Sequence, residues 1–284
     1  MQPFKKFTLN IRGRLVEVDR PMVMGILNVT PDSFFEGSRA TDVQSITLRV
    51  EQMLRDGVDI VDVGACSTRP GSVAVSEDEE LDRVLLGIKT VRSVCQDVII
   101  SVDTFRSRVA ETAVSAGADI VNDISGGSQD PAMFETVVRL KVPYILTHSR
   151  GDAQTMGSRT DYSDVVADVV GELSEKLNRL ALSGVADIII DPGLGFAKTL
   201  DQNYRLLSSV SEIAGLLDRP VLIGLSRKSM ITRVLNVSAG EALNGTSVLD
   251  TVALLRGASI LRVHDVREAR EAITLVEKLR ENEF

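Results

Sequence analysis

The stretch Met22-Val-Met-Gly-Ile-Leu-Asn28 decides how the rest of the chain is interpreted. Six apolar or glycine residues run without interruption, and a polar residue ends the run. A continuous apolar run of this length is typical of a strand that is buried on both faces, as in a parallel sheet. The chain should therefore contain more runs of the same kind.

Seven further short apolar runs follow, each ending in polar residues or glycine: 60–65, 99–104, 120–125, 144–149, 188–193, 221–226 and 260–264. Amphipathic stretches that predict helices lie between them: 44–56, 77–93, 107–116, 132–140, 162–183 and 245–256. Eight strands that alternate with helices predict an α/β fold, the (β/α)8 or TIM barrel. A doubly wound sheet is the alternative, which is disfavoured because no glycine-rich dinucleotide fingerprint follows the first strand.

The N-terminal segment has a different pattern. Residues 7–18 alternate between apolar and polar around Arg12-Gly13, which predicts a β-hairpin within residues 1–20. The alternation of predicted strands and helices continues through the rest of the 284 residues. We therefore expect one domain over residues 1–284, because barrels of this type run to about 250 residues.

Composition excludes several classes of function. The chain has 32 Lys and Arg against 40 Asp and Glu, a net charge of -8, which argues against nucleic-acid binding. Its two cysteines, Cys66 and Cys95, have neither metal-ligand spacing nor a disulfide pattern. Neither a signal-peptide core nor a run long enough to span a membrane is seen, so we expect a cytoplasmic protein with no membrane partner.

Polar residues cluster where the predicted strands end, and the active sites of such barrels lie at that rim. They are Asn28, Asp62, Asp103, Asn122, Asp123, His148, Asp191, the segment 226–229, Arg262 and His264. Any one of them could be a turn former or a hydrogen-bonded structural residue. So many unpaired buried groups would cost several kcal/mol, so together they predict a cavity that a ligand fills.

The residue types suggest what is bound. Asp103, Asn122, Asp191 and Lys228 offer carboxylate acceptors, an amide and an ammonium donor, which suit a flat heterocycle with amino, ring N–H and carbonyl groups. The strand that holds Arg262 closes the barrel beside the first strand.

Arg262 and His264 are therefore expected near Asn28, where two cations indicate an anion such as phosphate. Asn28 offers an oxygen ligand suited to Mg2+.

Three segments could complete the site. Ser229 begins a predicted helix, where backbone N–H groups would bind a carboxylate or phosphate, or where Ser229 is simply the N-cap. The loop 30–39 contains Phe34 and Phe35, and the loop 65–73 contains Pro70. Such loops could close over a substrate and exclude water, or they could be ordinary surface loops.

The chain resembles the dihydropteroate synthase family in several segments that appear in the family's order. They are Gly25-Ile-Leu-Asn-Val-Thr-Pro-Asp-Ser-Phe34, Asp62-Val-Gly64 with Ser67-Thr-Arg-Pro-Gly71, Ser101-Val-Asp-Thr104, Val121-Asn-Asp-Ile-Ser-Gly-Gly127, Asp191-Pro-Gly-Leu-Gly-Phe196, Ser226-Arg-Lys-Ser229 and Arg262-Val-His-Asp265. They cover nearly the whole chain after residue 20. The first loop and the Ser226 segment are specific, whereas Asp191-Pro-Gly alone would be weak, since other pterin-binding barrels share it.

The resemblance implies a reaction. The amine of 4-aminobenzoate displaces pyrophosphate from 6-hydroxymethyl-7,8-dihydropterin diphosphate and gives 7,8-dihydropteroate. It also implies Mg2+, a homodimer and inhibition by sulfonamides. The transition state is expected to be loose, with the amine entering late. An aryl amine is already neutral at pH 7 and needs no base before attack, so neither Lys228 nor His264 is expected to be an obligatory base.

The resemblance also implies roles for individual residues. For the pterin they are Asp103, Asn122, Asp191, Phe196, Gly224 and Lys228. For the diphosphate and Mg2+ they are Asn28, Arg262 and His264, with Asn28 as the metal ligand. For 4-aminobenzoate and the loops they are Asp32, Phe34, Thr68, Arg69, Pro70 and Ser229. Of these, Asn28, Asp103, Lys228, Arg262 and His264 are the candidate catalytic residues.

Two departures from the family pattern are visible. Ala65-Cys66 stands where the family commonly has Gly-Glu, and Thr147 and Ser149 flank His148 where methionines are common. We expect Cys66 to be inert and His148 to be structural, and Ser149 to make the pterin wall more polar. Two rival functions remain open: a corrinoid-dependent methyltransferase with the same pterin residues, and a catalytically inactive pterin-binding paralogue.

Overall fold

A computed structural model describes residues 4–29, 39–65, 75–152 and 154–282. The chain begins with the antiparallel hairpin of β1 (Phe7–Ile11) and β2 (Arg14–Val18), which confirms the predicted hairpin. Arg12 and Gly13 form its turn with φ values of 53° and 76°. Two positive φ angles in a two-residue loop match the right-handed twist of the flanking strands.

Eight parallel strands form a barrel that is nearly closed. They are β3 (Met22–Asn28), β4 (Ile60–Gly64), β5 (Ile99–Asp103), β6 (Ile120–Asp123), β7 (Tyr144–Thr147), β8 (Ile188–Asp191), β9 (Leu222–Ile223) and β10 (Ile260–Val263). Their order is β8-β7-β6-β5-β4-β3-β10-β9, and a parallel bridge between Ile190 and Val221 joins the two ends. The predicted (β/α)8 barrel is confirmed, since a doubly wound sheet would have two open edges.

Helices surround the barrel. They are α1 (Arg39–Arg55), α2 (Glu77–Val94), α3 (Ser107–Ser115), α4 (Met133–Leu140), α5 (Val165–Leu182), α6 (Leu200–Ser208), α7 (Val210–Leu217), α8 (Ser229–Leu235), α9 (Leu243–Leu255) and α10 (Val266–Arg280). All six predicted helical stretches lie on helices, with small differences at their ends. In the described ranges, no helix combines the length and apolar character that crossing a bilayer requires.

The first predicted strand, Met22–Asn28, matches β3, whereas the other seven extend too far at their C-terminal ends. The largest difference is at 221–226, where only Leu222 and Ile223 form a strand. The following residues leave the sheet because their polar groups bond elsewhere: Ser226 bonds His264, and the Arg227 N–H donates to Thr246. These residues therefore form the loop that leads to α8.

Side chains alternate between the two faces of each strand and so form two apolar cores, one between the strands and the helices and one inside the barrel. Val61 and Val63 point outward into the large core beneath the helices, whereas Ile60 points into the barrel. The inward core joins three hairpin residues to the lower ends of the strands: Leu9, Ile11, Val18, Met22, Met24, Ile60, Ile99, Ile120, Ile145, Ile189, Leu222 and Ile260. The hairpin thus plugs the N-terminal end of the barrel, so a ligand can enter only from the opposite end.

Replacing Leu9 with Ala tests this plug. Leu9 is 1% exposed, so the change should leave a cavity at the barrel floor and lower the free energy of unfolding by about 2–5 kcal/mol. Leu15→Ala on the neighbouring strand is the control, because Leu15 is 79% exposed. Urea unfolding of both variants measures the difference, and equal stabilities would contradict the plug.

Candidate active site

The inner face of the barrel changes from apolar to polar one layer above the plug. Every second residue of a strand points inward, so the residue two positions after each floor residue also faces the interior. These positions hold Ile26 on β3 and, on the other seven strands, Asp62, Ser101, Asn122, Thr147, Asp191, Gly224 and Arg262. A polar layer that rests on an apolar floor predicts a binding site open towards the C-terminal rim.

Arg262 holds two carboxylates together in this layer. Its Nε donates to Asp62 Oδ2 at 2.6 Å, and its terminal nitrogen donates to Asp103 Oδ2. Asn122 Nδ2 donates to the same Asp62 oxygen at 3.1 Å. Four side chains from β4, β5, β6 and β10 thus form one network, which brings the predicted residues Asp103, Asn122 and Arg262 into contact.

The backbone of Arg262 lies lower in the barrel than Asn28. It is opposite Met24 in the register, four residues before Asn28, because the strands of a barrel are staggered. Its guanidinium contacts Asp62 and Asp103. The expected proximity of the Arg262 side chain to Asn28 stays a prediction, because the register fixes backbone positions only.

The electrostatics of the layer make Asp103 titrate near neutrality. Burial raises the pKa of Asp103 to about 7, although the Arg262 guanidinium opposes the shift. A ligand that donates N–H groups to this carboxyl would favour its ionised form, since hydrogen bonds to a carboxylate lower its pKa. The site is therefore suited to a ligand that is rich in N–H donors.

Asp191 and Lys228 form a second charged pair. Gly193 N–H donates to Asp191 Oδ1 at 2.7 Å, and burial raises the pKa of Asp191 against the effect of Lys228. Burial lowers the pKa of Lys228 to about 8, against the effect of Asp191. The Lys228 ammonium donates to the Leu194 carbonyl and lies 4.6 Å from the centre of the Phe196 ring. Asp191, Phe196 and Lys228 are therefore neighbours, as expected.

Asn28 marks the upper rim. It is exposed at the end of β3, opposite Gly64, which in turn is opposite Asp103. A Cβ atom on Gly64 would lie 3.8 Å from Asn28 Oδ1 and 3.6 Å from Asp103 Oδ2. The absence of a side chain at Gly64 leaves room for a ligand between the two.

Two other predicted residues, His264 and Gly224, lie just after the last two strands of the barrel: His264 follows the end of β10, and Gly224 follows β9. His264 Nδ1 is 3.0 Å from Ser226 Oγ, which also accepts the His264 N–H at 3.2 Å. Gly224 lies beside Arg262, and a Cβ atom on it would be 3.8 Å from Arg262 Cβ. Hydrogen bonds between Ser226 and His264 therefore join the loop after β9 to the residues that follow β10.

Ser229 is the first residue of α8 and is exposed. Lys228 occupies the N-cap position, so the alternative that Ser229 is a plain N-cap is wrong. The preceding residue, Arg227, has a φ of 57° and is held by two bonds to the Asp265 carboxylate, at 2.8 and 2.9 Å. This ion pair fixes the turn that carries Lys228.

Known proteins share this chain's sequence and fold. Residues 24–264 match the family described as pterin binding enzyme. The chain is 40% identical over 270 residues to dihydropteroate synthase of Escherichia coli K12, and 94% of each chain is covered. The structure of Yersinia pestis dihydropteroate synthase with a sulfonamide drug superposes with a TM-score of 0.89 at 38% identity, covering 97% of this chain and 100% of that one.

The chain belongs to the dihydropteroate synthase family. The Xanthomonas albilineans enzyme in complex with 7,8-dihydropteroate has a TM-score of 0.85 at 34% identity and covers 96% of this chain and 99% of that one. A bifunctional folate synthesis protein of Arabidopsis thaliana is 40% identical over 277 residues, 92% of this chain. The chain spans only 57% of that relative's length. These relatives favour a synthase over a methyltransferase.

Several residues that the family resemblance singles out lie outside the described ranges. They are Asp32, Phe34, Cys66, Thr68, Arg69 and Pro70. The described ends of the second loop are held by arginines: Arg83 donates to the Ala65 carbonyl at 3.3 Å, and Arg106 donates to the Val75 carbonyl at 2.8 Å. Arg106 is itself paired with the buried Glu80.

Asp62 is a site residue to which the sequence analysis gave no role. It is fully buried, bonds Arg262 and Asn122 through Oδ2, and its Oδ1 has no hydrogen-bond partner among the described residues. Alternation was the signal that could have found it, because Asp62 has the same inward parity as Ile60 on the same strand.

His148 joins a family loop to a neighbouring helix. Its Nε2 lies 3.1 Å from Glu172 Oε2, and its Nδ1 lies 3.1 Å from Lys198 Nζ, which also donates to the Gly193 and Phe196 carbonyls. Burial lowers the pKa of His148 to about 4, so the ring is neutral at pH 7. Lys198 then donates to Nδ1 and Nε2–H donates to Glu172, which supports a structural role.

Thr147 is a polar residue of the inner wall next to His148. It is fully buried and is opposite Asp191 in the register, whereas Ser149 follows the end of β7 and is partly exposed. The expected effect of Ser149 on the pterin wall stays a prediction.

Replacing Gly193 with Ala should disrupt the loop that carries Asp191. Gly193 has a φ of 73°, and a Cβ atom on it would lie 1.9 Å from the His148 carbonyl oxygen. Gly184→Ala is the matched control, because Gly184 has a φ of 93° and nothing within 4 Å of its Cβ position. The control should lose about 1–2 kcal/mol of stability from backbone strain alone.

Gly193→Ala should lose more stability than the control. It should also weaken the binding of 6-hydroxymethyl-7,8-dihydropterin, because the clash with the His148 carbonyl would shift the backbone N–H of residue 193 away from Asp191 Oδ1. Thermal unfolding and calorimetric titration measure the two effects. Equal losses of stability with unchanged pterin affinity would show that the close approach to His148 has no role.

Proposed function

We propose that this chain condenses 6-hydroxymethyl-7,8-dihydropterin diphosphate with 4-aminobenzoate, giving 7,8-dihydropteroate and pyrophosphate. The observation that carries the proposal is the polar interior above the apolar floor of a barrel of this family, where Asp103, Asn122 and Asp191 are buried and Lys228 lies close to Asp191. Relatives with this fold include a synthase in complex with 7,8-dihydropteroate.

The pterin would occupy the inward polar layer. Asp191 uses Oδ1 for the Gly193 N–H, so its other oxygen is available to the amino and ring N–H groups of the pterin edge. Asn122 offers the carbonyl oxygen and N–H groups of its side-chain amide. The Asp103 carboxylate would accept further N–H groups from the ring. Phe196 beneath the Lys228 ammonium would cover one face of the ring.

The diphosphate would lie towards the upper rim, near Asn28 and His264. Arg262 is balanced by two carboxylates, which it contacts through Nε and one terminal nitrogen. Its other terminal nitrogen could donate to a diphosphate oxygen without releasing Asp103. Arg262 is therefore proposed to stabilise the departing diphosphate through its charge.

The residues present fit a loosely held Mg2+. Among the described residues, no group of three or more histidine, cysteine or acidic side chains is placed to hold a metal ion. Mg2+ commonly takes one or two protein oxygens together with water and substrate phosphates, and the exposed Asn28 amide oxygen supplies one such ligand. When bound, Mg2+ would neutralise charge on the leaving diphosphate.

The bond from the pterin methylene carbon to the diphosphate oxygen breaks, and a bond to the amine nitrogen forms. The dihydropterin ring shares the positive charge that develops on the methylene, so the amine can enter late. An aryl amine is already neutral at pH 7, and the proton lost from its nitrogen can pass to solvent. The side chains therefore need to orient the ring, exclude water and stabilise the leaving group.

The remaining roles are also proposed. Ser229, at the start of α8, and the loop residues Asp32, Phe34, Thr68, Arg69 and Pro70 would bind 4-aminobenzoate, and a sulfonamide would then compete for the same place. A cytoplasmic homodimer is consistent with the exposed side chains of Val234, Leu235 and Val248 on α8 and α9. A mass of a single chain by light scattering would contradict the dimer.

Pyrophosphate release from the pure protein tests the reaction. Dihydropterin diphosphate, Mg2+ and 4-aminobenzoate are supplied together and then each is omitted in turn. We expect dihydropteroate and pyrophosphate only in the complete mixture, and chelation of Mg2+ should abolish both. Pterin binding with no release in the complete mixture would contradict a synthase and indicate the inactive paralogue.

A further inference from the structure

Thr147 carries a buried hydroxyl that the described structure leaves without a partner. The residue is 0% exposed, and its Oγ1 makes no hydrogen bond to any described residue. Other buried threonines differ: Thr90 donates to the Leu86 carbonyl at 2.8 Å, and Thr246 donates to the Ala242 carbonyl at 2.8 Å. Those two lie in helices, where a carbonyl one turn earlier is always within reach.

The position of Thr147 explains why it has no such partner. It is the last residue of β7, and the carbonyls of a strand are engaged by neighbouring strands. Side chains alternate along β7: Ile145 belongs to the barrel floor, whereas Tyr144 and Leu146 pack outward beneath the helices. Thr147, two residues after Ile145, faces the same way as Ile145. The Thr147 side chain therefore points towards the barrel interior, one layer above the floor.

Thr147 is the register neighbour of Asp191. Adjacent parallel strands lie about 4.8 Å apart, so the two side chains stand side by side on the same wall of the cavity. Asp191 is the carboxylate that we propose binds the amino and ring N–H edge of the pterin. A ligand that hydrogen-bonds Asp191 from inside the barrel would therefore lie beside Thr147.

Buried polar groups are nearly always hydrogen-bonded, and one without a partner needs an explanation such as a ligand. We propose that Thr147 is a further substrate-binding residue whose hydroxyl hydrogen-bonds the bound pterin beside Asp191. The proposal rests on the proposed function, because it takes the occupant of this layer to be a pterin. It gives the wall formed by β7 and β8 two polar contacts with the ring.

Thr147→Val tests the contact, because valine keeps the shape of threonine and removes only the hydroxyl. The probe is 6-hydroxymethyl-7,8-dihydropterin without its diphosphate, titrated by calorimetry. We expect its dissociation constant to rise about 2- to 10-fold, the range for one hydrogen bond. The melting temperature of the unliganded protein should stay level or rise, because the variant no longer buries an unpaired hydroxyl.

Three further variants make the result specific. Thr147→Ser keeps the hydroxyl and should retain most of the affinity. Thr90→Val should show the opposite pattern, with a lower melting temperature and unchanged affinity, because Thr90 bonds within α2 away from the cavity. Thr147→Ala, a second variant without the hydroxyl, should repeat the loss of affinity if the valine variant does not fold.

Unchanged pterin affinity in both hydroxyl-free variants would overturn the inference and leave the proposed function intact. An equal loss in Thr147→Ser would also overturn it, since the hydroxyl would then not be the cause. Absence of pterin binding by the unaltered protein would instead overturn the proposed function and, with it, this inference.

Discussion

The ion pairs that Arg262 makes with Asp62 and Asp103 are the interaction on which the interior of this barrel depends. Burying a charged group costs several kcal/mol of lost hydration. The centre of an eight-stranded barrel contains no bulk solvent that would reduce this cost. One guanidinium serves two carboxylates, and Asn122 supplies a further donor to Asp62. Removing one member would leave a buried charge uncompensated, which typically costs 3–5 kcal/mol.

Several features of the molecule follow from this arrangement. The hairpin seals the lower end with apolar residues such as Leu9, so the charged layer is reached from one side only. Above that layer, glycines replace side chains where a ligand needs room, as at Gly64. The Asp191 loop is held from behind by the neutral His148 and the Lys198 ammonium. A rigid, partly desolvated site of this kind suits electrostatic stabilisation of a leaving group.

Strand number, helix alternation and the hairpin could be predicted because each has a strong local pattern, as in the run that ends at Asn28. The ends of strands were less predictable, since Val221 to Ser226 is apolar enough for a strand but its loop bonds draw it from the sheet. The contacts of Arg262 with Asp62 and Asp103 depend on the stagger between strands, which no single segment encodes. The inward position of Asp62, by contrast, follows from alternation along β4. The end of β7 at Thr147 depends on pairing with neighbouring strands, which the segment itself does not encode.

The most direct measurement is a crystal structure of this chain with 6-hydroxymethyl-7,8-dihydropterin bound. The account predicts the ring inside the barrel, within hydrogen-bond distance of Asp103, Asn122 and Asp191, with Arg262 still bonded to Asp62. A pterin bound at the outer rim, or an inner layer that stays closed by its own ion pairs while the ligand lies elsewhere, would contradict it.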